Sequence, residues 1–183
     1  MPKELYFLGI CPTGRLKEDI HQQKSIISQK YNTKGAFRSS AHITLQMPFK
    51  LGQKKLIDFE QDIFRFSEGV QPFNIQLDGF SAFEPRVVYI VVKENEKLNH
   101  LHKALEPVLK RHQIFNSTHK NRGFHPHITV AFRDLKKRDF YPLWEEMKNK
   151  EFKREFKADG MMLYRHNGSV WEEYKHIPFG TTG

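Results

Sequence analysis

At 183 residues, with 38% hydrophobic content and 16 phenylalanines, the chain can fill the core of one domain, or of two intimately packed lobes, without a partner. Its single cysteine, Cys11, excludes an internal disulfide and any cysteine-cluster metal site, and fits a reducing compartment. Thirty Lys and Arg against 21 Asp and Glu leave a formal charge of +9, which disfavours a cationic ligand and favours a polyanion or a phosphate-bearing one.

Leu5 to Ile10 is a short apolar run halted by Cys11-Pro12-Thr13-Gly14, which reads as a strand and a turn. Nothing before or within it has the apolar core and cleavage site of a signal peptide, and Val87 to Val92 is too short to span a bilayer, so we expect a cytoplasmic protein with no membrane partner. Leu16, Ile20, Ile27 and Tyr31 recur at helical spacing before the Asn32 to Gly35 segment ends the helix. Ala41 to Met47 alternates as a strand, and Pro48 closes it. Leu56, Phe59, Ile63 and Phe66 mark an amphipathic helix ended by Glu68-Gly69, and Phe73 to Phe80 alternates again. From Arg86 the order repeats: a strand over Val87 to Val92, then a helix carrying Leu98, Leu101, Leu105, Val108 and Leu109 with Pro107 as a kink inside it. A strand at His127 to Phe132, a helix with Phe140, Leu143, Trp144 and Met147, a strand within Phe152 to Tyr164 and a last one over Trp171 to Phe179 complete the chain.

Two tetrapeptides stand out, His42-Ile43-Thr44-Leu45 and His127-Ile128-Thr129-Val130. On a strand, His and Thr share one face while the aliphatic residues take the other, so each strand buries one side and offers a His and a Thr on its opposite side. The same alternation puts Arg133 on the histidine side of the second strand. The histidines lie 85 positions apart and Phe73 and Phe156 lie 83 apart, so the order strand, helix, His-x-Thr strand, helix, strand occurs twice at nearly constant offset. We read this as an internal duplication. The expected fold is α+β: two pseudo-symmetric lobes, mainly antiparallel sheets with flanking helices, around a central cleft. One domain would cover 1–183, with lobes of approximately 1–82 and 83–183 and room for strand exchange between them.

Ala41-His42-Ile43-Thr44-Leu45 and Phe124-His125-Pro126-His127-Ile128-Thr129-Val130 resemble the paired motifs of the two-histidine (2H) phosphoesterase superfamily, and within it the bacterial 2′-5′ RNA ligase or RNA cyclic phosphodiesterase, LigT-like, branch. The resemblance extends through Pro85-Arg86-Val87-Val88-Tyr89 to Leu163-Tyr164-Arg165. It implies hydrolysis, without cofactor or metal, of a 2′,3′-cyclic phosphodiester or a 2′-5′ linkage in RNA or a nucleotide, with weak reverse ligation. His42 and His127 would exchange protons with the attacking water and the departing ribose oxygen, a task suited to groups whose unperturbed pKa is about 6.5. Thr44 and Thr129 would direct hydroxyls at the non-bridging phosphate oxygens, and Arg133 and Arg86 would add cationic donors. Phe124 is a candidate to stack on a base, as are Phe83 and Tyr164.

Each residue has a plainer reading beside this one. A lone His on a strand face is usually structural, Thr is an ordinary strand former, and with 16 Phe any one belongs more readily to the core; only the duplicated motif changes the odds for the histidines. Arg86 suits the cleft or a structural pairing equally, and Lys136-Lys137-Arg138 suits a solvated helix start. Two other classes remain: a non-catalytic RNA-binding module that keeps the groove, and a zinc hydrolase using His42, His125 and His127, against which stands the lack of a carboxylate in either motif. Nothing in the pattern calls for a dimer, so a monomer is expected.

Overall fold

The computed structural model describes residues 2–115 and 123–180, and the basic stretch His119-Lys120-Asn121-Arg122 lies outside them. Its elements run β1 (Glu4–Ile10), α1 (Gly14–Tyr31), a 3-10 turn (Gly35–Arg38), β2 (Ile43–Leu51), α2 (Gln53–Glu68), β3 (Phe73–Phe83), β4 (Val87–Val92), α3 (Glu96–Arg111), β5 (His127–Ala131), α4 (Lys137–Met147), β6 (Lys153–Ala158), β7 (Gly160–His166) and β8 (Trp171–Pro178). Hydrophobic spacing accounts for most of this. Leu56, Phe59 and Ile63 bury one face of α2, and Leu98, Leu101, Leu105, Val108 and Leu109 one face of α3, whose first turn is capped by Asn95 accepting from the Leu98 N–H at 3.0 Å. No helix among the described residues is long and apolar enough to cross a membrane.

Two local readings change. β2 continues through Pro48 to Leu51, because β2 is an edge strand and the register with β1 slips between Tyr6 and Leu8, so the proline falls at an irregularity where no ladder hydrogen bond is owed. The single strand expected within Phe152 to Tyr164 is two, β6 and β7, parted at Asp159, whose carbonyl accepts from the Phe179 N–H at 2.8 Å.

The strands form two four-stranded antiparallel sheets, ordered β2-β1-β7-β8 and β5-β4-β3-β6. Each His-x-Thr strand is an edge, paired inward with the strand that opens its own half of the chain. The third position is exchanged: β3 sits beside β4 in the second sheet, while β7 and β8 return to complete the first. By sheet position β7 is the counterpart of β3, and Phe156 is the cross-strand neighbour of Ile75 in β6. The aliphatic face of both motif strands lies in one continuous apolar core, where Ile43, Ile128 and Val130 are fully buried.

A polar clasp fixes the halves to each other. Asp134, just after β5, accepts from Thr33 Oγ1 (2.6 Å), the Lys34 N–H (2.7 Å) and the Gly35 N–H (2.9 Å), on the connection between α1 and β2. Burial raises the Asp134 carboxyl, but these hydrogen bonds outweigh it and hold the group below its ordinary range. The approach is so close that a Cβ on Gly35 would lie 2.2 Å from the Phe132 carbonyl oxygen, a position only glycine can fill.

Candidate active site

The alternation expected of the motif strands is present. His127 and Thr129 are partly open while Ile128, Val130 and Ala131 are buried, and at the first motif His42 and Thr44 are partly open between buried Ala41, Ile43 and Leu45. Thr44 pairs with Gly9 of β1, and Thr129 with Tyr89 of β4. Gly9 is required here: a Cβ would stand 2.7 Å from the Ile43 carbonyl oxygen.

The two imidazoles are wired alike. His42 Nδ1 bonds the Ser40 carbonyl and His127 Nδ1 the His125 carbonyl, each at 2.8 Å and each two residues back. A carbonyl only accepts, so Nδ1 carries the proton in both rings and Nε2 is the nitrogen left to exchange one. β2 and β5 touch across the junction of the sheets, and the charge of His127 is felt at His42. Burial, aided by the charges of Lys24 and His127 and opposed by the Ser40 hydrogen bond, pushes the His42 imidazolium down to about 4, so this ring is neutral at pH 7.

Their surroundings differ. His42 lies against Phe7 (ring centroids 4.7 Å) and Tyr164 (5.4 Å), themselves stacked at 4.3 Å and buried. Tyr164 OH meets Ser40 Oγ at 3.1 Å, tying the aromatic floor to the residue that fixes the His42 ring. Beyond it Cys11 and Lys17 both donate to Glu173. His127 lies against Tyr89 (5.0 Å) and Phe83 (5.2 Å), and Phe83 is 41% exposed. Tyr164, being buried, has no face to offer a base; Phe83 has.

Of the other residues singled out, Arg86 is exposed in the turn between β3 and β4. Arg133 is not on a strand. β5 ends at Ala131, and Arg133 has φ 64° at the centre of a tight turn in which the Asp134 N–H bonds the Phe132 carbonyl at 2.9 Å. Its guanidinium lies 5.4 Å from the Phe132 ring centroid. Phe124 stacks on His102 of α3, centroids 3.9 Å apart and planes 9° apart. His125 Nε2 bonds Tyr89 OH at 3.2 Å, and among the described residues no three His, Cys, Asp or Glu side chains gather as a metal-holding group, so the zinc trio of His42, His125 and His127 is not assembled.

Three contributors had no signal of their own in the sequence: Phe7 and Tyr89, ordinary strand residues, and Ser40, which acts through its carbonyl. Lys24 had one. It occupies the gap between Ile20 and Ile27 on the apolar stripe of α1 and is buried there.

A family model described as the 2′-5′ RNA ligase superfamily matches residues 12–169. A relative from Oceanobacillus iheyensis that carries a phosphoesterase name is 25% identical over 178 residues, 96% of this chain and 98% of its own length. An RNA 2′,3′-cyclic phosphodiesterase from Archaeoglobus fulgidus is 30% identical over 130 residues, 68% of this chain and 70% of its own. Among solved structures, E. coli LigT complexed with 3′-AMP superposes with a TM-score of 0.70 at 20% identity, over 98% of this chain and all of that one, which is a likeness of fold.

Proposed function

The chain belongs to the 2′-5′ RNA ligase superfamily of two-histidine phosphoesterases, and from that premise we propose that it hydrolyses 2′,3′-cyclic phosphodiesters or 2′-5′ linkages of RNA or nucleotides, with 2′-5′ ligation as a weak reverse reaction. The observation that carries the reading is the identical Nδ1 bond of His42 and His127, which turns two equivalent Nε2 atoms into the proton-exchanging ends of one site.

In this reaction His42, neutral, takes a proton on Nε2 from a water whose oxygen forms the new bond to phosphorus. His127, entering as imidazolium, delivers its Nε2 proton to the ribose oxygen as that P–O bond breaks. One proton is gained and one lost, so the pair ends in the opposite protonation state and resets through solvent. Thr44 and Thr129 donate hydroxyls to the non-bridging oxygens, where charge builds. Both proton transfers are met by imidazoles, so the step calls on no metal. Phe83, exposed beside His127, supplies a surface for the nucleoside base; Arg133 and Arg86 lie on exposed turns from which they can reach a phosphate, and Phe124, stacked on His102, backs the segment leading into the second motif. The same reading treats the chain as one domain of two strand-exchanged repeat lobes.

The test is turnover of the four nucleoside 2′,3′-cyclic monophosphates and a 2′-5′-linked dinucleotide in the presence of EDTA. Phosphomonoester should appear with the chelator present and vanish in His42→Ala and in His127→Ala. Retention of RNA by the wild-type protein with no turnover of any of these substrates would replace the enzyme with a binding module.

A further inference from the structure

Lys24 is out of place by every local rule. It lies on the buried face of α1 between Ile20 and Ile27 and is 4% exposed, and a buried ammonium costs several kcal/mol in general unless it is paired. Its Nζ donates to the carbonyls of Ala36 (2.9 Å) and Ser39 (3.2 Å). Those residues lie in the connection that ends at the first motif, and the next carbonyl along, that of Ser40, accepts from His42 Nδ1. Lys24, Ser39, Ser40 and Ala41 line one cavity of about 210 Å³, and no carboxylate lines it. The second motif is held differently: the carbonyl that accepts from His127 belongs to exposed His125, pinned through its ring by Tyr89 OH.

We propose that Lys24 is a positioning residue for His42: its buried ammonium holds the carbonyls of Ala36 and Ser39, next to the Ser40 carbonyl that orients the ring, and sets a positive charge at this corner that favours the first histidine as the base. The proposal rests on the phosphodiesterase reading for its kinetic consequence, but not for its electrostatic one. The charge of Lys24 is among the causes that hold the His42 imidazolium down, after burial. Burial in turn pushes the Lys24 ammonium down to about 8, so the charge is largely present at neutral pH and is withdrawn above it. The other titratable and charged groups around this corner include His21 of α1, which lines the same cavity, His127 on β5, Tyr164 on β7, Cys11 after β1, and Glu173 on β8, which pairs with Lys17 of α1.

The experiment follows the imidazole nitrogens of His42 and His127 by NMR against pH in the wild-type protein, in Lys24→Met, which keeps the stem without the charge, and in Lys24→Arg. In Lys24→Met the His42 midpoint should rise by about one pH unit with His127 unmoved, and Lys24→Arg should stay near wild type. The acid limb of kcat/KM should move with His42, while kcat falls about tenfold and KM changes less than about twofold. A folded Lys24→Met whose His42 midpoint is unchanged, or in which both histidines move together, overturns the proposal. If neither variant folds, the wild-type His42 signals decide: they should show a second inflection near pH 8 as Lys24 loses its proton, and its absence overturns the proposal equally. A wild-type protein without turnover, but with the His42 shift intact, defeats the phosphodiesterase reading and leaves the role of Lys24 standing.

Discussion

His42 and His127 stand at corresponding edges of two sheets and donate the same hydrogen bond from the same ring nitrogen, yet one rests on a sealed aromatic floor and the other on a floor whose outer ring, Phe83, faces solvent. Beside the first lies a buried lysine; beside the second, a tyrosine hydroxyl on a neighbouring histidine. Duplication therefore copied the backbone geometry that sets the tautomer, while burial and charge around each copy diverged. Two identical side chains thus meet different environments, which on the proposed reading lets them serve opposite roles at one pH.

The strongest attempt to break this comparison is deletion of either imidazole. His42→Ala and His127→Ala should each lower kcat by about 10²–10⁴, and the double variant should be little worse than the more damaging single one, because the proton path needs both ends. Independent, multiplying losses in steady-state kinetics would show that the rings do not act on one phosphorus. Next come the threonines. Thr44→Val and Thr129→Val should each cost about 10²-fold in kcat with little change in KM, and a loss confined to one would mean that only one hydroxyl meets the charge.

The contrast between the floors is sharpened by truncating one ring from each. Phe7→Ala should cost about 3–5 kcal/mol in urea unfolding, since Phe7 is buried against Tyr164 and Trp171. Phe83→Ala should leave stability within about 1 kcal/mol and instead raise KM for a cyclic nucleotide about tenfold. A further effect is on stability against pH. His42 is neutral in the native state down to about 4, whereas in the unfolded chain it takes a proton near 6.5. Its contribution is therefore fully present above about pH 6.5 and is lost as pH falls toward 4, and His42→Asn should flatten that part of the unfolding curve.

The motifs were legible because a His-x-Thr strand needs only local alternation, and because repetition at constant spacing marks two such strands as a pair. Arg133 illustrates the limit. Alternation placed it on the histidine side, but the chain leaves the strand at Ala131 so that Asp134 can reach Thr33 to Gly35, a pairing with residues about a hundred positions away that no local pattern encodes. Phe124 was read for its nearness to His127, and its stacking on His102 was hidden from the sequence for the same reason. Pro48 reads as a stop only if its strand has neighbours on both sides, and being at an edge is a property of the whole sheet. Lys24 was passed over, although a polar residue in an apolar stripe is the kind of local inconsistency that points to a role beyond packing.

The exchanged strands also set the order in which the molecule can be made. β1 leaves the ribosome before the other strands of its sheet, and its inner neighbour β7 begins about 150 residues later, whereas β3 to β6 follow one another and can zip together as they emerge. For most of translation the hydrogen-bonding edge of β1 that β7 will occupy stands open, carrying Phe7 and the corner that His42 will need, so the histidine encoded first is the last to find its finished setting.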